Sequence, residues 1–234
     1  MTCCGVSVSE GGDSLTLHTG VTEIQRDDVI RWFGNQGTLI ADLNSAADSR
    51  WSNIQLNDQT RDLTIRNIRR DQSGVYKVEI NTISIILHRK FKVTLGGMKN
   101  VSVMTGKSII LLSSVLKIQE YDLILWKFED HLMAKISKMT NQFLLYDSAE
   151  GKFKGRLELS RETGDLTISG SRTTDSRDYH LHMSNSIHTL QRTITVTVTG
   201  LHPGYIALIC VCVVLVTLLV ALVTYYRCKD HEII

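Results

Sequence analysis

Asp62-Leu63-Thr64-Ile65, followed by Asp71-Gln72-Ser73-Gly74-Val75-Tyr76, is the stretch on which the reading of this chain turns. It recurs. Asp165-Leu166-Thr167-Ile168 lies 103 positions further on, and the same offset lays Tyr179, in Asp175-Ser176-Arg177-Asp178-Tyr179, over Tyr76. Upstream, Gly12-Asp13-Ser14-Leu15-Thr16-Leu17 matches Gly106-Lys107-Ser108-Ile109-Ile110-Leu111. Ile30-Arg31-Trp32 likewise matches Leu125-Trp126 with its preceding Leu123-Ile124. Repetition of this kind indicates two homologous units.

Each unit consists of short Val-, Ile-, Thr- and Leu-rich runs with period-two alternation, broken by Gly, Asn, Asp and Ser clusters, which predicts an all-β sandwich. The boundary is expected at Gly96-Gly97-Met98-Lys99-Asn100, between a strand over Phe91 to Leu95 and one starting at Val101. The 234 residues are 43% hydrophobic and 21% charged with a formal net charge of +2, too apolar for a disordered tail and too evenly charged for a nucleic-acid partner.

Residues 205–223 read YIALICVCVVLVTLLVALV, nineteen positions without an ionisable side chain. At about 1.5 Å per helical residue this run covers roughly 28 Å, close to the hydrocarbon thickness of a bilayer. Tyr205, Tyr225 and Tyr226 stand where interfacial aromatics belong. Arg227 and Lys229 follow the run, and only Arg192 is a fixed positive charge in the fifteen residues before it, so the C-terminal end is expected in the cytoplasm. Met1-Thr2-Cys3-Cys4-Gly5-Val6 has neither a basic nor an apolar leader region, so a leader preceding this sequence is expected. The organisation expected is 1–97 and 98–200 as two sandwiches, 201–204 as linker, 205–226 as transmembrane helix and 227–234 as cytoplasmic tail.

In an immunoglobulin-type sandwich a strand C tryptophan packs on the B–F disulfide, and a tyrosine two residues before the second cysteine forms a corner. Trp32 and Trp126 fit the first position and Tyr76 and Tyr179 the second. The disulfide positions fall instead on Thr19 and Val78, and on Ser113 and Leu181. Losing such a bridge costs about 2–5 kcal/mol, to be offset by apolar burial around the tryptophans. Cys210 and Cys212 lie in the apolar run, and Cys3 and Cys4 adjoin each other. Cys228, beside the membrane, is a candidate for palmitoylation.

Tandem variable-type sandwiches without that disulfide, ahead of one span, resemble the signalling lymphocytic activation molecule (SLAM) branch of the immunoglobulin superfamily over residues 8–227. Members usually have a disulfide-bonded constant-type second domain, which this chain lacks. The resemblance implies an ion pair between Arg156 and Asp175; Asn53 replaces the arginine in the first unit, so no pair is carried over there. It also implies that the CFG sheet of the first, membrane-distal unit binds a protein on an opposing cell, either a second copy or a related immunoglobulin-superfamily member. Strand parity puts Arg31, Phe33, Lys77 and Glu79 on that face, joined by Lys90 and Lys92.

The function expected is therefore plasma-membrane adhesion or ligand recognition on immune cells, without intrinsic signalling. The alternative is a receptor whose signalling tail or partner subunit lies outside this chain. Asn100-Val101-Ser102 is the single glycosylation sequon. No enzyme activity, cofactor, metal or small-molecule substrate is expected: phosphate-loop, His-Glu-x-x-His and Gly-x-Ser-x-Gly motifs do not occur. His180 and His182 are expected to face solvent, and Asp27-Asp28 and Glu129-Asp130 to be turn residues.

Overall fold

The computed structural model describes residues 3–8, 13–22, 24–25, 27–34, 37–41, 51–82, 86–97, 99–115, 118–146, 151–200 and 203–231, with helix side chains over 210–224. The first half contains β1 (Cys3–Val8), β2 (Asp13–Leu17), β3 (Val29–Phe33), β4 (Leu39–Ala41), β5 (Ile54–Leu56), β6 (Leu63–Ile65), β7 (Gly74–Asn81) and β8 (Ile86–Leu95). The second contains β9 (Asn100–Met104), β10 (Ile109–Leu111), β11 (Leu123–Phe128), β12 (His131–Ser137), β13 (Gln142–Leu145), β14 (Leu157–Leu159), β15 (Leu166–Ile168), β16 (Asp178–Ser184) and β17 (His188–Thr199). A separate unit, Thr199–Ile234, carries helix α1 (Pro203–His231).

Alternation writes the sheets. β2 and β6 are buried at every second residue, so Leu15, Leu17, Leu63 and Ile65 share one face, all fully buried. β3, β7 and β8 form one sheet in the order β1-β8-β7-β3-β4, and β2-β6-β5 oppose it. The second half repeats the plan as β13-β12-β11-β16-β17 against β10-β15-β14. This is the immunoglobulin-type division into two facing sheets.

The halves are joined by a ladder that the sequence repeat does not announce. β17 pairs antiparallel with β2, Leu190 opposite Leu15 and Arg192 opposite Asp13, fusing two sheets into one of nine strands. β9 pairs with β17 as well. Because Leu15 and Leu190 are cross-strand partners, both buried, their faces are one surface and the apolar core runs through both halves. Residues up to Val198 accordingly form one compact unit.

Trp32 and Trp126 are fully buried and each donates its indole N–H across the sandwich, Trp32 to Arg61 O and Trp126 to Gly164 O, both at 2.8 Å. Trp32 packs on Phe91, ring centroids 5.6 Å apart. In the second half Phe128 packs on both Phe153 and Tyr179 at 5.1 Å. Val78 and Leu181 are buried in the core. Thr19 and Ser113, at the expected cysteine positions, turn their hydroxyls away from a partner strand: Thr19 donates to Thr60 O at 2.7 Å and Ser113 to Thr163 O at 2.6 Å. A second hydrogen bond ties each backbone N–H to a carboxylate, Asp62 or Asp165. Polar pinning of the chain just after β2 and β10 stands where the covalent bridge would be.

Helix α1 is 29 residues long, and its large apolar side chains from Val211 to Val223 are all exposed. Among the described residues no helix is long and apolar enough to cross a membrane. The expected span therefore belongs to the proposal below.

Candidate functional site

The outer face of sheet β4-β3-β7-β8-β1 gathers all six residues named for partner contact. Register makes them neighbours: Arg31 lies opposite Glu79, Phe33 opposite Lys77, and Lys77 opposite Lys90. Lys92 follows on β8 opposite Val75. Arg31, Lys90 and Lys92 are exposed, while Phe33, Lys77 and Glu79 are half-buried. Lys77 Nζ donates to Glu79 Oε1 at 2.6 Å and sits 5.9 Å from the Phe33 ring centroid. That hydrogen bond holds the Glu79 carboxyl below its ordinary value against slight desolvation, with the charges of Lys77, His88 and Arg31 adding to it.

Four fixed positive charges thus face one carboxylate among these six residues. Exposed Val75 and Leu39 supply apolar area beside them. A concavity of about 370 Å³ lies there, lined by Phe33, Gly34, Gly37, Val75, Lys77, Glu79 and Lys90. The chemistry on offer is recognition by charge and apolar contact.

A corner tyrosine anchors one strand in each half, Tyr76 on β7 and Tyr179 on β16. Tyr76 donates its hydroxyl to Gln72 O, and Tyr179 donates to Asp175 O at 3.0 Å. Burial pushes both phenols up. In the second half Arg156, immediately before β14, holds Asp175 by two bonds, Nη1 to Oδ2 at 2.9 Å and Nη2 to Oδ1 at 3.1 Å. Burial opposes ionisation of Asp175. The bonds from Arg156 and the Arg172 backbone N–H, with the charges of Arg156 and Lys152, outweigh it and lower the pKa. In the first half Asn53 and Gln72 make the equivalent clamp without charge, amide to amide at 2.9 and 2.7 Å. The sequence showed Asn53 in the arginine's place but not the clamp it makes with Gln72.

Arg192, counted from the sequence as a charge flanking the apolar run, is a buried group instead. It donates from Nε and Nη2 to the Asp13 carboxylate at 3.0–3.2 Å, both side chains having no exposed surface. Nη1 also reaches Ser113 O and Ser114 Oγ. His18 crosses the same joint, Nδ1 2.9 Å from Asp62 and Nε2 3.0 Å from Thr189 Oγ1. His188 is buried against Tyr121, its Nε2 3.2 Å from the phenol. Burial, then the charge of His18, pull its pKa from 6.5 to about 4.

His180 is exposed, with Nδ1 3.2 Å from Thr193 Oγ1, but His182 is only half-exposed; burial and neighbouring Lys127 lower its pKa. Both lie on the outward side of β16, alternating with buried Leu181 and Met183. They line a shallow groove of about 530 Å³ with Leu125, Lys127 and, from the first half, Ser14 and Asn67. Among the described residues no group of three or more His, Cys, Asp or Glu is placed to hold a metal ion. Asn100 is exposed at the start of β9. Side chains of Cys3, Cys4 and Cys228, and with them the palmitoylation candidate, lie outside the described residues, as do linker residues 201–202 and tail residues 232–234.

No protein-family model matches the chain, and no curated protein matches it in sequence. Solved structures similar to it are immunoglobulin-like. The first Ig-like domain of human CD48 antigen is 22% identical, covering 46% of this chain and 87% of that one, with a TM-score of 0.39. CD84, a SLAM family structure, is 14% identical over 44% of this chain and 98% of that one, TM-score 0.38. Sidekick-1 immunoglobulin domains 1–5 are 14% identical over 84% of this chain and 38% of that one, TM-score 0.31. Likeness at this level carries no functional inference.

Proposed function

We propose that this chain is a single-pass cell-surface recognition protein. Its strand-built body stands outside the plasma membrane, and the outer face of sheet β4-β3-β7-β8-β1 binds a protein on an opposing cell without chemistry of its own. The observation that carries this reading is the in-register cluster of Arg31, Phe33, Lys77, Glu79, Lys90 and Lys92 on one accessible sheet face. A cation excess of this kind speeds encounter and selects partners more than it adds affinity. Many such weak contacts between two cell surfaces add by avidity.

The membrane part is supported by the nineteen-residue run without ionisable side chains and by a helix whose apolar side chains from Val211 to Val223 are exposed. At about 1.5 Å per residue the nineteen-residue run covers roughly 28 Å, close to the hydrocarbon thickness of a bilayer. Arg227 and Lys229 orient it with the C-terminus in the cytoplasm.

The test expresses the full chain behind an added leader on one cell population and measures conjugates with leukocytes and with cells expressing the same chain. Lys90→Glu combined with Lys92→Glu is expected to lower conjugate formation at least several-fold, while Lys127→Glu, on the other half's outer face, leaves it unchanged. Equal loss in both variants, or none in either, overturns the assignment. An N-terminal epitope stained only after permeabilisation overturns the orientation.

A further inference from the structure

Register lays the outer face of sheet β4-β3-β7-β8-β1 out in rows. Arg31, Glu79 and His88 make one row, and Phe33, Lys77 and Lys90 the next, with Leu39 beside Phe33. Val75 and Lys92 make a third, where the neighbouring residue on β1 is Gly5, so no side chain covers the lysine from that edge. Glu79 is the one carboxylate among the described residues of these rows, and it is already engaged: Lys77 Nζ bonds it at 2.6 Å and His88 Nδ1 stands 3.9 Å away. Arg31, Lys90 and Lys92 are exposed and make no ion pair among the described residues.

That distribution decides between two kinds of occupant. A two-fold contact of the face with a second copy sets the same patch against itself. Arg31, Lys90 and Lys92 of both copies would then be brought together and desolvated, while each Glu79 stays held by its own Lys77, and like charges so placed are strongly unfavourable. A head-to-tail contact with the matching face of the second half fares no better. Outward on β11, β12 and β16 stand Lys127, Lys135, His180 and His182, and the one carboxylate on those strands, Asp178, accepts the Thr195 hydroxyl at 2.7 Å.

We propose that this face takes a different protein, one presenting a carboxylate-rich surface around a large apolar side chain, and rejects a second copy. This holds only if the face is the binding face, as proposed above. The partner's carboxylates answer Arg31, Lys90 and Lys92. Its apolar side chain fits the concavity of about 370 Å³, where the Phe33 ring and exposed Val75 supply the apolar lining. Gly37, with nothing within 4 Å of where a Cβ would stand, leaves that concavity open. A desolvated apolar anchor, ringed by contacts that exclude water, is where interfaces concentrate their energy. Rejection of the wrong partner comes from the repulsive cations as much as from the fit of the right one.

The test reconstitutes the full-length chain in fluorescent phosphatidylcholine vesicles and applies them to fixed leukocytes, and to fixed cells of another line expressing the same chain behind an added leader. Leukocyte staining is expected to fall at least several-fold between about 75 mM and about 300 mM salt, because exposed charges are screened over that range. It is expected to vanish after protease treatment of the leukocytes and to survive removal of their sialic acid and heparan sulfate, which separates an acidic protein from an anionic glycan. Cells expressing the chain are expected to stain no more than their parent line. Staining that does not respond to salt, or that is lost with the glycans, overturns the acidic-protein partner.

Variants tell a wrong partner apart from a wrong face. If cells expressing the chain stain as strongly as leukocytes, and Lys90→Glu combined with Lys92→Glu removes that staining, the face binds a second copy and only the acidic partner falls. If the double variant stains leukocytes as well as the unsubstituted chain does, or nothing is stained at low salt, the binding face itself is misplaced and both readings fall. Val75→Trp fills the concavity without touching a charge. It is expected to lower leukocyte staining several-fold at both salt concentrations and to leave the salt dependence unchanged; full staining by this variant overturns the apolar anchor.

Discussion

The two halves solve one mechanical problem with different chemistry. Before β16 the 3-10 turn Thr173–Asp175 is clamped to the start of β14 by a guanidinium and a carboxylate. Before β7 the turn Arg70–Gln72 is clamped to the start of β5 by two amides. In both, the same acceptor side chain also caps the turn, Asp175 taking the Arg172 N–H and Gln72 the Arg69 N–H. What the sandwich requires there is a two-point link, and charge is one of two ways to supply it. A second pairing says the same of the backbone. Residue Arg61 (φ 54°) accepts the Trp32 indole in the left-handed region, where the other half has Gly164 (φ 73°). The first half bears a small strain that the second avoids.

The joint should give the largest response. Arg192→Leu leaves the Asp13 carboxylate buried without its main counter-charge, and is expected to cost about 3–5 kcal/mol by urea unfolding of the full chain in detergent. Adding Asp13→Leu should return most of that loss. A small effect of Arg192→Leu alone would mean that the ladder is not a stabilising contact. Next comes the ionic clamp: Arg156→Leu should cost about 3 kcal/mol and raise hydrogen exchange in residues 172–179. If exchange rises equally in residues 69–76, the two corners are not independent.

Acid separates the halves on a different axis. His188 is held to about 4 when folded but titrates near 6.5 when unfolded, so the unfolded chain takes up the proton first. Stability is therefore complete above about pH 6.5 and falls as the pH drops toward 4, by on the order of 3 kcal/mol. His188→Gln should flatten the urea midpoint between pH 7 and 4.5; an unchanged slope excludes this histidine as its source. Asp175 adds its loss only below its unfolded value near 3.8, and the amide clamp contributes nothing of the kind.

The neutral clamp is expected to be cheaper to break. Gln72→Leu should cost about 1–2 kcal/mol, since the Asn53 amide it abandons is half-buried and uncharged. A cost equal to that of Arg156→Leu would erase the distinction between the clamps. Smallest of all, Arg61→Gly relieves the left-handed backbone and should gain up to about 1 kcal/mol. In the other half, Gly164→Ala brings a methyl 3.2 Å from Ile124 Cδ1 at a left-handed position and should destabilise; equal signs for the two changes would show that the turns are not equivalent.

What was readable in the sequence is what depends on neighbours in sequence. Alternation along Leu15-Thr16-Leu17 or Leu63-Thr64-Ile65 dictates which face is buried, and parity carries Lys77 and Glu79 to the opposite side of β7 from Tyr76 and Val78. The β2–β17 ladder was not readable, because an edge strand and a central strand share the same alternation, and nothing local says what lies beyond the edge. Arg192 illustrates the cost: its position suggested a charge near the membrane, while its partner lies 179 residues away. The amide clamp escaped for a related reason. A missing Arg–Asp pair is visible as two unexpected letters, but their compensation exists only once Asn53 and Gln72 meet in space.

Thr19 and Ser113, each pinned by hydroxyl and backbone N–H to the turn ahead of β6 or β15, have one more consequence. With threonine and valine in one core and serine and leucine in the other, neither sandwich has a thiol pair at these positions to close across its sheets. Closing the two sandwiches across these positions need not wait for an oxidant. A thiol reductant at millimolar strength, which dismantles many extracellular sandwiches, should leave Trp32 and Trp126 as well shielded from solvent as before, a result that tryptophan fluorescence reads directly.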